Sequence, residues 1–386
     1  MKRRLKLKIN GESPRSLFLA LVLAKFKYDV YIFDSLINSE FNYADQIYSF
    51  SNFTKTLLSN FEIWNEFEDI SFCFNSIEFK DNIISEQLLL RTEISEKYLN
   101  TFGWTAKYSD IKNLLKNKLK DFDNVHFILK NQLVDESKTF DFEFNFKSYD
   151  EYPLKTNNRK KEQILIFNVF LRGNVEKRLY EINTTDGLLI LTPINNNFYQ
   201  IIWNNVSIQI KERSQNSKSF FLDNLTTLLP NDLKIDQIIG DIKSLNVNDI
   251  SSTYLIKYKP IYFSENKFKS NILFNLKFDI IIHKILQIYY FLENNDPKSI
   301  KILDNLGFLY LYRKYVELKI EFSFSSFFIN LFTLNNLFCL FLRKLLFILF
   351  KRVNLLKISF IRHVINLNIK HSIKSVSYTH LRAHET

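Results

Sequence analysis

The stretch "KINGESPRSLFLALVLAKFKYDVYIFD", Lys8–Asp34, constrains the fold of this chain more than any other segment. It reads as the end of a strand, one glycine at Gly11, a tight loop, an apolar helix of small and aliphatic residues, and a second strand ending in an acid. That is the layout of a dinucleotide-binding βαβ unit. In such a unit a G-x-G-x-x-G loop brings backbone N–H groups to a pyrophosphate at the helix N-terminus, and an acid about 20 residues on holds a ribose. Here the loop is Gly11-Glu12-Ser13-Pro14-Arg15-Ser16, with serines at the second and third glycine positions. Ser13 puts a Cβ where a phosphate would press, Ser16 puts one where helix and strand pack, and Glu12 adds like charge. Arg15 and the positive helix end would offset part of that charge. Asp34 stands at the distance of the ribose acid and reads equally well as a solvated strand end. The first strand, "RLKLKI", alternates charge with aliphatic residues, whereas a central parallel strand is expected to be nearly continuous hydrophobic.

Further along, Ala44–Phe67 has helical apolar spacing and Ser71–Asp81 alternates like a strand. Lys107–Phe122 reads as an amphipathic helix with Ser109 as its N-cap and Ile111, Leu114, Leu115 and Leu119 on one face. Strands are expected at "NVHFIL" and "FDFEFNFKSY", and the charged, proline-containing Asp150–Gln163 reads as an exposed linker. From Ile164 to Arg213 the pattern becomes antiparallel sheet, in "ILIFNVFL", "GLLILTPI", "FYQIIW" and "VSIQIKE". A mixed helical region capped at Asn231-Asp232 then leads to a strand, a short loop and a long helix. Residues 297–374 read as helical, and Phe324–Phe350 is apolar almost all round.

Composition narrows the function classes. A chain of 386 residues with 46% hydrophobic content can bury a large core, and the 39 Phe against 6 Gly, like the net charge of +11, match an AT-rich coding sequence. Lysine is interspersed with acids through the first 300 residues, so no basic stripe marks a nucleic-acid surface and no nucleic-acid partner is expected. Cys73 and Cys339 lie far apart without C-x-x-C partners, and the histidines lack metal-ligand spacing, so no metal is expected. The basic N-terminus has no apolar h-region, which predicts a cytoplasmic protein. The last segment, Ser375–Thr386, changes composition abruptly and reads as a non-native tail.

The order of elements resembles the flavin-dependent aromatic hydroxylases of ubiquinone biosynthesis, which share the para-hydroxybenzoate hydroxylase fold. The opening βαβ carries the resemblance, together with "FEIWNEF", "FGWTAKYSDIKNLL", "GLLILTPINNNFYQIIW" and "DPKSIKILDNLGFLYLYRKYVE". The resemblance implies an α+β fold, in which a Rossmann-like βαβ FAD-type domain (1–70, 98–150 and 255–300) is interrupted by an antiparallel-sheet substrate domain (71–97 and 160–250). A helical C-terminal region, 301–374, follows. It also implies FAD as cofactor, with Gly11, Ser13, Arg15, Ser16 and Asp34 at the first motif. The third motif falls at Ser264–Asp279, where Glu265 and Asp279 stand for its acids. The second falls at "KSYDEYPLKTN", where no glycine is present, and Ala44 and Ser109 occupy the places of family arginines near the flavin. Phe198, Tyr199 and Trp203 lie on the strand that faces substrate in the family, although aromatics on a strand are more often core.

Two functions follow as expectations. One is hydroxylation of a prenylated aromatic, quinone-type precursor, with other quinone-biosynthesis proteins as implied partners. The other is a non-catalytic relative that keeps the fold as a scaffold or apolar-ligand-binding partner. The first loop is expected to keep its strand–turn–helix shape and to bind FAD weakly or not at all. "FFINLFTLNNLFCLFLRKLLFILFKR", Phe327–Arg352, is interrupted by Asn330, Asn335, Asn336 and Arg343-Lys344, so it is expected to lie peripherally on the inner face of a membrane rather than span it. Lys344 and Lys351 would face the headgroups; burial against the body of the protein is the alternative.

Overall fold

The computed structural model describes residues 5–33, 46–92, 101–128, 140–145, 162–173, 176–204, 218–247, 261–262, 331–332 and 334–364. Asp34, Ala44, Glu265, Asp279, the second-motif segment and the tail from Ser375 lie outside them.

A five-stranded parallel sheet holds the N-terminal unit. Its strands are β1 (Lys6–Asn10), β2 (Asp29–Phe33), β8 (Val125–Ile128), β9 (Phe142–Asn145) and β15 (Ile261–Tyr262), in the order β15-β9-β1-β2-β8. β1 is therefore central in spite of its lysines. Leu5, Leu7 and Ile9 are buried on one face, beneath helix α1 (Pro14–Lys25). Lys6, Lys8 and Asn10 are half-buried on the other, where Lys8 meets Glu143 of β9 at 3.2 Å and Asn10 donates to the same carboxylate at 2.6 Å. The strand is thus central in pairing but apolar on one face only, which is what its alternation encodes. α1 is buried from Ser16 through Ala24, wedged between the sheet and α4 (Tyr108–Leu119).

Several local expectations are corrected. The segment expected as one helix from Ala44 opens as strand β3 (Ile47–Phe50), followed by α2 (Asn52–Asn60) and α3 (Trp64–Asp69). Its aromatic Tyr48 and Phe50 favour a pleated surface. β3 pairs antiparallel with β7 (Gly103–Lys107), where Phe50 stacks on Trp104 at 6.4 Å. The N-cap of α4 is Lys107, with an extended backbone and no side-chain bond; Ser109 lies inside the first turn and contacts Asp110. Ser71–Asp81 is two strands in two sheets. β4 (Ser71–Phe74) completes a three-stranded sheet in the order β3-β7-β4, and β5 (Ser76–Asp81) enters the large sheet.

The large sheet has seven strands, in the order β14-β10-β13-β12-β11-β5-β6. Besides β5 these are β6 (Glu86–Arg91), β10 (Glu162–Gly173), β11 (Arg178–Thr184), β12 (Gly187–Pro193), β13 (Phe198–Asn204) and β14 (Leu233–Val247). All its pairs are antiparallel except β11 with β5. β14 corrects the expected helix after Asn231-Asp232. Its Ile235, Ile238, Ile239 and Ile242 fall at helical spacing, but pairing with β10 along nearly its whole length, through two register shifts, decides for strand. α5 (Lys218–Leu228) covers one face of this sheet. Helices α6 (Leu337–Arg352) and α7 (Asn354–Val364) cover part of the other through Phe347 and Ile361. Arg343 of α6 is fully buried and pairs with the equally buried Asp81 at 3.1 Å.

Candidate functional site

In open parallel sheets, ligands bind beyond the carboxyl ends of the strands where the strand order reverses. Here that point lies between β1 and β9, since the chain runs from β1 outward to β2 and β8 on one side and to β9 and β15 on the other. The loop Gly11–Ser13 emerges there. Gly11 has φ +113°, a conformation that side chains rarely adopt, and its N–H donates to the Phe33 carbonyl at the end of β2, at 2.9 Å. The one glycine retained is therefore the one the turn requires.

Ser13 does not sit in a glycine-only conformation. Its backbone is extended (φ −84°, ψ 159°) and it forms the N-cap of α1, with its Oγ accepting the Ser16 N–H at 3.3 Å. Ser16 Oγ donates back to the Ser13 carbonyl at 2.8 Å, and the two hydroxyls are 3.2 Å apart. Neither serine takes a positive φ, since Ser16 is helical. The obstacle is occupancy. A serine oxygen accepts the helix-terminal N–H that a phosphate oxygen would accept, and Ser16 is fully buried. Pro14 at the first helical position supplies no N–H.

Glu12 is also placed differently from its sequence reading. Its carboxylate, 9% exposed, is held by Lys116 of α4 at 2.7 Å, with Lys112 at 3.9 Å. It acts as an anchor between the loop and α4, and these lysines offset its charge. The strand–turn–helix shape persists as expected. The side chains in it do not fit a pyrophosphate: Ser13 occupies the helix-terminal N–H as its cap, and the buried Ser16 fills the space beside it.

The aromatic candidates on β13 separate by alternation. Tyr199 and Trp203 are buried between the sheet and α5, where Trp203 lies 6.1 Å from Phe221. The Tyr199 hydroxyl donates to the Glu176 and Arg178 carbonyls, both at 3.0 Å. Burial pushes its phenol, and that of Tyr180 beside it, well above the usual range. These two aromatics are core. Phe198 is half-buried on the opposite face, which it shares with Gln200.

That opposite face carries polar residues that sequence reasoning passed over. Gln200 is 2% exposed and paired in register with Asn168 and Thr192. Its Nε2 donates to Asn168 Oδ1 at 3.2 Å, and its Oε1 accepts the Ile47 N–H of β3 at 3.1 Å. Thr105 of β7 donates to the Pro193 carbonyl at 2.6 Å. These bonds join the seven-stranded sheet to the three-stranded one, on the side of the Rossmann-like unit. The signal was present as "Thr192" and "Gln200" inside otherwise apolar strands. Among the described residues no group of His, Cys, Asp or Glu could hold a metal ion.

No protein-family model matches the sequence, and no curated protein does. Solved structures match its fold. The p-nitrophenol 4-monooxygenase PnpA from Pseudomonas putida DLL-E4 aligns with a TM-score of 0.66 at 10% identity, over 95% of this chain and 99% of its own. The flavin-dependent halogenase Xcc4156 from Xanthomonas campestris aligns at 0.62 and 10%, over 85% and 77%. P. aeruginosa PqsL in complex with 2-aminobenzoylacetate aligns at 0.59 and 11%, over 86% and 96%. The chain has the fold of flavin-dependent monooxygenases and halogenases, a parallel Rossmann-like sheet with separate antiparallel sheets and C-terminal helices.

Proposed function

We propose that this chain is a divergent protein of the flavin monooxygenase type that binds an apolar aromatic ligand of the quinone-precursor class and holds FAD weakly or not at all at its first loop. The full-length likeness to PnpA supports the monooxygenase ancestry, because it covers the antiparallel sheet as well as the Rossmann-like unit. The observation that carries the second half is the self-capped N-terminus of α1, in which Ser13 accepts the Ser16 N–H. In this class of enzyme the flavin supplies the oxygen chemistry, and the protein positions and shields the reactants. This chain's own contribution is the buried polar seam of Gln200, Asn168 and Thr105 between the two sheets, which fixes their spacing.

A second reading, hydroxylation of a prenylated phenol, is favoured by the same full-length match. The purified protein's visible spectrum separates the two. Under the proposed reading it is colourless, and an apolar quinone analogue quenches tryptophan fluorescence without added flavin. A yellow protein that oxidises a reduced nicotinamide when given a prenylated phenol would establish the hydroxylase instead.

A further inference from the structure

We infer that the outer face of α6 and the start of α7 form a docking surface for an anionic lipid bilayer. On α6, Leu337, Phe341, Leu345 and Leu349 recur every four residues with Phe338 beside them, and all are exposed, Leu337 by 87%, Phe338 by 70% and Phe341 by 65%. Leu355 and Leu356 at the start of α7 are exposed by 79% and 45%. An uninterrupted row of this kind is not ordinary protein surface.

The charge around it selects the occupant. From residue 322 to residue 374 the sequence has eight Lys or Arg and no Asp or Glu. Lys344 and Arg352 are exposed on α6 within the same sector as Leu337 and Phe341, at the helical period. An amphipathic helix with aromatic and leucine residues flanked by lysine and arginine is the composition of an interfacial membrane helix, and the basic side chains complement anionic headgroups. A second copy of the chain would bring the same positive charge to both sides of the contact, which disfavours self-association.

The other face of α6 explains why the helix lies on a bilayer and does not cross it. Arg343 is fully buried and donates to Asp81, to the Leu331 and Leu334 carbonyls and to Asn335. Lys351, expected to meet headgroups, instead donates to Glu86 of β6 at 2.6 Å. Withdrawing α6 from the sheet would strand these charges. Its 16 residues span about 24 Å, short of the roughly 30 Å hydrocarbon core, and no described helix is long and apolar enough to cross a membrane. The surface is independent of whether flavin binds.

Flotation of the full-length protein with phosphatidylcholine vesicles, with and without phosphatidylserine, tests this. The expected result is at least about tenfold more protein floating with the anionic vesicles, and a comparable loss when salt is raised to about 0.5 M. A Phe338→Ser, Phe341→Ser variant, altered only at exposed positions, should lose about tenfold or more while keeping its circular dichroism. A Lys344→Gln, Arg352→Gln variant should lose its preference for anionic lipid. Absence of flotation, whether the protein is monomeric or self-associated, would overturn the proposal. So would equal binding to neutral vesicles, or full binding by the phenylalanine variant.

Discussion

Replacing Arg343 by methionine should cost the protein about 3 kcal/mol of stability. The magnitude follows from what the guanidinium leaves behind. Arg343 and Asp81 are both 0% exposed at a separation of 3.1 Å, so the carboxylate would remain in a dry site without its counter-charge. Truncating one partner of a buried pair costs about 3–5 kcal/mol. The lower end applies because Asp81 keeps three donors, the Ile83 N–H at 2.9 Å, the Ile84 N–H at 3.2 Å and Asn183 Nδ2 at 2.9 Å. The Leu331 and Leu334 carbonyls also lose the donor that ties the start of the helical region to α6. Urea unfolding at neutral pH, followed by circular dichroism, measures the difference. A second variant, Arg343→Met with Asp81→Asn, removes both charges and should recover at least about 1 kcal/mol. A loss below about 1 kcal/mol in the single variant would refute the reasoning, as would a double variant no more stable than the single one.

Two further outcomes follow from backbone geometry and burial. Gly173→Ala should lose at least about 2 kcal/mol, because φ is +124° and a Cβ there would lie 2.1 Å from the Asp232 carbonyl oxygen; Gly240→Ala, at φ +76° with nothing within 4 Å, should lose only about 1–2 kcal/mol. Denaturant titration of the two variants makes the comparison. Tyr180 and Tyr199 have phenols raised by burial, so the folded state favours their neutral forms. Their contribution to stability is complete below the ordinary phenol value of 10.0 and declines as pH rises above it, where the unfolded chain ionises and the fold does not. Tyrosinate absorbance should therefore titrate with the same amplitude in Tyr199→Phe as in the unaltered protein until alkaline unfolding begins.

The fold was legible where one local pattern had one tertiary outcome. The opening βαβ, the α4 face of Ile111, Leu115 and Leu119, and the strands β10, β12 and β13 were readable in this way. Alternation on β1 was read as a departure from a central strand, yet it described a strand apolar on one face and ion-paired on the other. Ile47–Phe50 misled because a short run carries no period that separates helix from strand, and Leu233–Val247 because Ile235, Ile238, Ile239 and Ile242 fall at helical spacing; a partner strand decided each. At the first loop, the sequence showed which glycines were missing but not that Ser13 would take an unstrained cap position, because strain depends on φ. Tyr199 and Trp203 were indicated by the family resemblance of their strand, whereas the face beside the three-stranded sheet belongs to Gln200. The polar Thr192 and Gln200 inside otherwise apolar strands were the sign of that division.

The closure of the first loop is tested most directly by calorimetric titration of FAD into the unaltered protein and into a Ser13→Gly, Ser16→Gly variant. An N-cap bond of the kind Ser13 makes is worth about 1 kcal/mol, so freeing the helix terminus should tighten FAD binding by about fivefold or more. Glycine at the cap costs the fold only a few tenths of a kcal/mol and glycine at Ser16, inside α1, about 1 kcal/mol, so the variant should remain folded. The account predicts weak or undetectable binding in the unaltered protein and measurable binding in the variant. Tight, stoichiometric FAD binding by the unaltered protein would contradict it.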